Sequence, residues 1–205
     1  MTSRAFRVVE MFEEAMAEYA GSKYGVAVDS CTTAIYLSLL RDLAGSEDAG
    51  GRGVGIPART YISVPFAIQR AGCRVVWHDD LWHGAYQLEN TQVVDGALRM
   101  RRGMFAGGLH CVSFHARKHI KIGRGGMILT DDPQAVDWLK KMRFDGRDGS
   151  VPFMQDQVEL AGFNAYMTPE QAARGLQLLE ALPDDNPDLA NTYPDLRNLP
   201  VFRNL

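Results

Sequence analysis

Apolar positions recur along this chain in two alternating rhythms, one of three and four residues and one of short unbroken runs. Phe6, Val9, Phe12, Met16 and Tyr19 keep the helical spacing, with Ser3 as the expected cap and Gly21 as the stop. Tyr24–Val28 reads as a short buried strand, and the small, hydroxyl-rich turn Asp29-Ser30-Cys31-Thr32-Thr33-Ala34 leads from it into an apolar helix, Ile35 to Leu43. Residues 45–53, rich in Gly, Asp, Glu and Ser, are expected to form an exposed loop. A second strand, Val54–Pro57, carries Ala58-Arg59-Thr60-Tyr61 at its carboxyl end. Because Pro65 is tolerated only in a first turn, the next helix is predicted to begin near Ser63 and to run to Ala71-Gly72.

Further strands are predicted at 74–77, 92–95, 110–114 and 126–130, whereas 78–91 follows neither rhythm. Asp132-Pro133 opens a helix with Val136, Leu139 and Met142 on one face. Thr168-Pro169-Glu170-Gln171 is a capping box, opening a helix that turns Ala172, Leu176 and Leu179 inward and stops at Pro183. Strands alternating with helices predict an α/β fold, a three-layer α/β/α sandwich around a mainly parallel sheet. Residues 1–182 form its domain; 183–205, with Pro187, Pro194 and Pro200, have too little apolar periodicity for a second one and are read as a C-terminal tail.

Composition narrows the function classes. With 205 residues and a net charge of -3, the chain can bury a sizeable core and offers no long basic face, which argues against a general nucleic-acid binder. Cys31, Cys73 and Cys111 lie far apart with no paired zinc spacing, so a reduced, cytoplasmic protein is expected. Charges at Arg4, Arg7, Glu10, Glu13 and Glu14 leave no apolar signal core, and no run is long enough to cross a membrane. His78, Asp79, Asp80 and His83 can be imagined as metal ligands, but no helical spacing supports that, and no metal is expected.

The candidate chemistry collects at strand ends, where open α/β sheets bind ligands. After the apolar run Cys111-Val112 comes Ser113-Phe114-His115-Ala116-Arg117-Lys118-His119-Ile120-Lys121-Ile122-Gly123-Arg124-Gly125-Gly126, which places Lys118 among other cations. Such surroundings favour a partly deprotonated, reactive amine; they also suit a bound phosphate or a solvated basic loop. The turn Ser30 to Thr33 at a helix start is both an anion site and an ordinary N-cap. Together the strand ends offer a phosphate cradle, an aromatic ring (Tyr61), a carboxylate (Asp95) and a lysine with a nearby serine (Lys118, Ser113). Pyridoxal 5'-phosphate (PLP) requires such a set: a lysine for its aldehyde, an acid for its ring nitrogen, an aromatic to stack on the ring and hydroxyls for the phosphate.

At this point the chain resembles the DegT/DnrJ/StrS group of PLP-dependent sugar aminotransferases, within the fold-type I PLP enzymes. The resemblance runs in order through Phe12-Glu13, Tyr24 to Ala34, Ile56-Pro57-Ala58-Arg59-Thr60-Tyr61, Ala71-Gly72-Cys73, Asp95-Gly96-Ala97, Ser113 to Lys118, Gly125-Gly126-Met127-Ile128, Gly162 to Thr168 and Gln171-Ala172-Ala173, most of residues 10–182. It implies that Lys118 is the Schiff-base lysine, Asp95 the partner of the pyridine nitrogen and Tyr61 the stacking ring. Ser30, Cys31, Thr32 and Ser113 would hold the phosphate, and Asn164 would reach the phosphate of a neighbouring subunit in a homodimer with shared sites. The implied reaction moves an amino group from an amino acid, glutamate by analogy, to a keto group on a nucleotide-linked sugar.

A dehydratase branch of the family lacks the lysine, so Lys118 speaks against it. A rival reading is a non-catalytic binding or regulatory module that keeps the fold, and a third is a phosphate- or nucleotide-binding protein. The departures from the family pattern are Leu98, Arg124 and Tyr166, where a glutamine or histidine, an acid and an arginine are usual. Set against the family pattern, a sizeable C-terminal domain is expected to be missing or nearly so, as are a strand and helix between the third and fourth strands found here. Loss of an internal strand predicts that 92–95 pairs directly with Val54 to Ile56, the alternative being a replacement strand from 78–91.

Overall fold

The first helix, α1 (Arg7–Ala20), buries Val9, Phe12, Met16 and Tyr19 as its spacing requires, and Gly21, at φ 83°, ends it. The computed structural model describes residues 6–44 and 51–203; Ser3, the expected cap, and residues 45–50 of the expected loop lie outside them. Along the chain follow β1 (Tyr24–Val28), α2 (Cys31–Leu43), β2 (Gly53–Pro57), α3 (Ser63–Arg70), β3 (Arg74–His78), β4 (Tyr86–Gln87), β5 (Val93–Asp95), β6 (Leu109–Ser113), β7 (Gly126–Thr130), α4 (Pro133–Met142) and α5 (Pro169–Glu180). Short 3₁₀ turns occupy Phe153–Gln155, Leu196–Asn198 and Pro200–Phe202. The capping box of α5 forms as predicted, Thr168 accepting from Gln171 N–H and Gln171 from Thr168 N–H.

Three layers follow from the two-residue period of the strands. Val26, Val28, Leu109, Cys111 and Ile128 enter one core with α2, α3 and α4, while Ala27, Val112, Met127 and Leu129 enter the other with α1 and α5. A five-stranded sheet, in the order β1-β7-β6-β5-β4, separates the two, and β2 and β3 form a second, parallel pair. In the large sheet the parallel pairing is confined to β5 and β6; β1 with β7, β7 with β6 and β5 with β4 are antiparallel, so the sheet is mixed. The loop from β6 to β7 explains part of this. It folds back on itself through Phe114 N to Gly125 O (3.0 Å) and Gly123 N to Phe114 O (3.1 Å), and so returns the chain antiparallel.

The expected direct pairing of 92–95 with Val54–Ile56 is not observed. Segment 86–89 lies between them instead: Tyr86 and Gln87 pair with Asp95 and Val94, Leu88 N–H donates to Val93 O (2.9 Å), and Glu89 N–H donates to Gly55 O (2.9 Å). This satisfies backbone groups that a missing strand would leave unpaired in the interior. Gly55 makes room for it, since a Cβ there would lie 2.0 Å from Glu89 Oε2 and 2.8 Å from Glu89 Cβ.

Beyond α5 the tail is irregular but held. Asn186, buried, donates to Met100 O (3.0 Å) and Pro183 O (2.8 Å), and Leu196 and Phe202 are buried.

Candidate active site

The carboxyl end of β6 delivers Ser113 and then the lysine loop into a cavity of about 640 Å³. Its walls are Ser30, Cys31 and Thr32 at the start of α2, Tyr61 and Ser63 after β2, Asp95 at the end of β5, Ser113, His115, Arg117 and Lys118 after β6, Arg124 before β7, and Tyr193 of the tail.

Local chemistry explains how each wall is built. Ser30 caps α2, its Oγ accepting Thr33 N–H (3.1 Å), and the first residues of the helix, Cys31 and Thr32, line the cavity. Thr32 Oγ1 lies 2.7 Å from Ser63 Oγ, which joins the start of α3 to the same cradle. Gly126 makes this closeness possible: a Cβ there would stand 2.5 Å from Cys31 N, so β7 runs against the α2 start only with glycine at that position. Arg124, carried by the same approach, pairs with Asp29 (2.6 Å).

Asp95 is 2% exposed. Burial raises its pKa, and the Ala97 N–H, the Tyr86 hydroxyl and the charge of Lys118 oppose that rise. Tyr86, its cross-strand partner, also shares a hydrogen bond with Thr60 Oγ1 (2.6 Å). Lys118 is half-buried and burial lowers its pKa, with the charge of Asp95 the main opposing influence. The result is a cavity with a half-buried amine, its pKa lowered, on one wall and a dehydrated carboxyl group, its pKa raised, on another. Cys31 is inert by comparison, because burial pushes its thiol well up.

Of the residues read from sequence, the structure brings Ser30, Cys31, Thr32, Tyr61, Asp95, Ser113 and Lys118 to one cavity. It does not bring Asn164 there. Asn164 is exposed and its Nδ2 lies 3.3 Å from Asp145 Oδ2. Three cavity neighbours were not read from sequence. Ser63 carried a weak sign, a hydroxyl at a helix start, but Tyr86 sat in the stretch without rhythm, and Tyr193 in the tail.

The departures also find places: Leu98 is buried, and Tyr166 packs edge-on against Phe6 (5.4 Å) and Phe144 (5.5 Å). Of the imagined metal ligands, His78 and Asp80 approach each other (3.2 Å) beside Glu89, while Asp79 pairs with Arg197 (2.5 Å).

Fold and site together define an α/β protein with a lysine–carboxylate pocket at its strand ends. The chain belongs to the DegT/DnrJ/EryC1/StrS aminotransferase family, whose model matches residues 3–93 and 97–194. It is 27% identical over an alignment 222 positions long to the spore coat polysaccharide biosynthesis protein SpsC of Bacillus subtilis (strain 168), covering 86% of this chain and 57% of that one. It is 26% identical over an alignment 217 positions long to the GDP-perosamine synthase of Caulobacter vibrioides, covering 85% and 57%. The chain thus spans little more than half the length of these curated relatives. Among solved structures, AtS13 from Actinomadura melliaura superposes with a TM-score of 0.72 at 24% identity, over 85% of this chain and 60% of that one. A GDP-4-keto-6-deoxymannose-3-dehydratase, solved with a trapped PLP-glutamate geminal diamine, superposes with a TM-score of 0.72 at 21% identity, over 86% and 61%. These likenesses establish the fold. Among the described residues no helix is long and apolar enough to cross a membrane.

Proposed function

We propose that this chain is a PLP-dependent aminotransferase that takes an amino group from an amino acid, glutamate, and gives it to a keto group of a nucleotide-linked sugar. The observation that carries the reading is the meeting of Lys118 and Asp95 in one cavity with a hydroxyl cradle, in a chain of this aminotransferase family.

The residues fit the cofactor. A dehydrated carboxylate, Asp95, complements a protonated ring nitrogen, whereas without a cation its burial is costly. Thr32, Ser63, Ser113 and the free N–H groups of α2 suit a phosphate, and Tyr61 offers a ring face at the cavity. Bound PLP supplies an electron sink for the bond broken beside the amino group. Asp95 would keep the ring nitrogen protonated. Lys118, whose pKa burial lowers, would hold the cofactor through its amine and, when free of it, would serve as the base and acid that moves the proton.

The working unit in this reading is a homodimer with shared sites. Asn164, exposed beside Asp145, would turn to a second chain, and Phe153, Met154, Val158 and Phe163 expose apolar surface, Met154 to 92%.

The test is the first half-reaction. Protein loaded with PLP and given glutamate should release 2-oxoglutarate in proportion to its sites, and Lys118→Ala should release none. No 2-oxoglutarate from loaded protein would overturn the reading and favour a binding module.

A further inference from the structure

One wall of the cavity comes from far along the chain. Tyr193 is its one lining residue beyond Gly125 among the described residues, and Lys118 Nζ donates to its hydroxyl at 3.3 Å. The ring sits 5.8 Å from that of Tyr61 and is stacked, 6.4 Å away, on that of Trp82.

The tail reaches this place under constraint from both sides. Upstream, Asp188 accepts two hydrogen bonds from Arg99 (3.0 and 2.6 Å), and Leu189 N–H donates to Leu98 O (2.9 Å). Just before the ring, Asn191 Nδ2 donates to Arg59 O (3.2 Å); downstream, Leu196 N–H donates to Ala58 O (2.9 Å), and Phe202 packs on Phe66 and Trp77 (5.0 and 5.7 Å). Asn191 Oδ1 also accepts Tyr193 N–H (3.1 Å), which fixes the backbone that carries the ring. A segment anchored on both sides, with one aromatic directed at the reacting amine, is more than a tail draped over the surface.

We propose that Tyr193 is a positioning residue for Lys118: its hydroxyl holds the amine toward the cavity while its ring, with Tyr61 and Trp82, keeps water from that side. A neutral phenol can do this in both protonation states of the lysine. It accepts from the ammonium and donates to the free amine, so the amine keeps its place as its proton comes and goes. Burial, with the nearby charge of Asp95, pushes the Tyr193 phenol up to about 12, so it stays neutral while Lys118 titrates. The other titratable groups facing the amine are Asp95 from β5, Cys31 from α2, Tyr61 from the loop after β2 and Arg124 before β7, with His115 and Arg117 on its own loop. Only Tyr193 among these is hydrogen-bonded to Nζ in the described structure.

The inference rests on Lys118 being the reacting amine, yet its test needs no cofactor. Protein without PLP is labelled by formaldehyde and cyanoborohydride across a pH series, and the extent at Lys118 is read by peptide mass spectrometry. Tyr193→Phe keeps the ring and removes the acceptor, so the ammonium is less favoured; labelling at pH 8 should rise roughly two- to tenfold and the pH midpoint should move down. Tyr193→Ala loses the same acceptor but also admits water, which favours the ammonium, so its midpoint should lie above that of the Phe variant. A Phe variant that matches the parent at every pH overturns the proposal, and so does an Ala variant that folds and shares the Phe variant's midpoint. If the Ala variant does not fold, the Phe variant decides alone. Loss of the Tyr193 effect with 2-oxoglutarate still released from glutamate sinks only this inference; the effect without that release sinks only the aminotransferase reading.

Discussion

His110 shows how a single side chain in this chain can report on folding. It is buried beside Gly96, where a Cβ would lie 2.1 Å from its Nε2, and neither ring nitrogen finds a hydrogen-bond partner among the described residues. Burial first, and then the charge of Arg99, lower its pKa to about 4. The folded value lies below the unfolded one, so the unfolded chain binds the extra proton first as pH falls below about 6.5. Stability from this residue is therefore complete above that pH and is lost on the way down to about 4. Urea titrations at pH 7 and pH 5 should differ by ~2 kcal/mol from this residue, and His110→Phe should remove most of that difference. Equal differences in the two proteins would contradict the account. Among the site residues, Lys118, Asp95 and Ser113 were legible because each closes or follows an apolar run; Tyr86 and Tyr193 were not, since no local spacing marks them.

At the scale of elements, local signals were reliable where the chain itself enforces them. The Thr168 capping box, the Gly21 stop and the alternation in β6 and β7 all involve neighbours a few residues apart. The two-residue strand β4 has no such rhythm. It exists because β5 and β2 both need partners, a tertiary demand that β4 and Glu89 meet from the stretch left unassigned. Direct pairing was the natural expectation from strand count alone, and it fails because backbone satisfaction does not require a long strand. Gly126 ties the element level to the site: a methyl there meets backbone atoms of Ser30 and Cys31, which cannot swing aside as a side-chain tip can. Gly126→Ala should cost roughly 1–3 kcal/mol and weaken PLP binding, while Gly149→Ala, with open space around it, should do neither. A Gly126→Ala protein with parental stability and affinity would refute the close approach inferred here.

For the whole molecule, the three-layer arrangement was readable from alternating elements, while the antiparallel turns of the sheet and the path of the tail were not. Contacts such as Arg99 with Asp188 or Ala58 with Leu196 join residues far apart in sequence, so no window of the chain contains them. Assembly is the other property set at this scale. If Asn164 serves a partner's site, the protein is a dimer with a sizeable apolar interface, and light scattering with PLP present should give twice the chain mass. A monodisperse monomer under those conditions would remove the role given to Asn164. The central claim, that Lys118 is the amine that holds the cofactor opposite Asp95, has a more direct test. Purified protein is incubated with PLP, reduced with borohydride, digested and read by mass spectrometry. The account predicts a pyridoxyl adduct on the Lys118 peptide that is absent from Lys118→Ala; an adduct spread over other lysines, with none on Lys118, would contradict it.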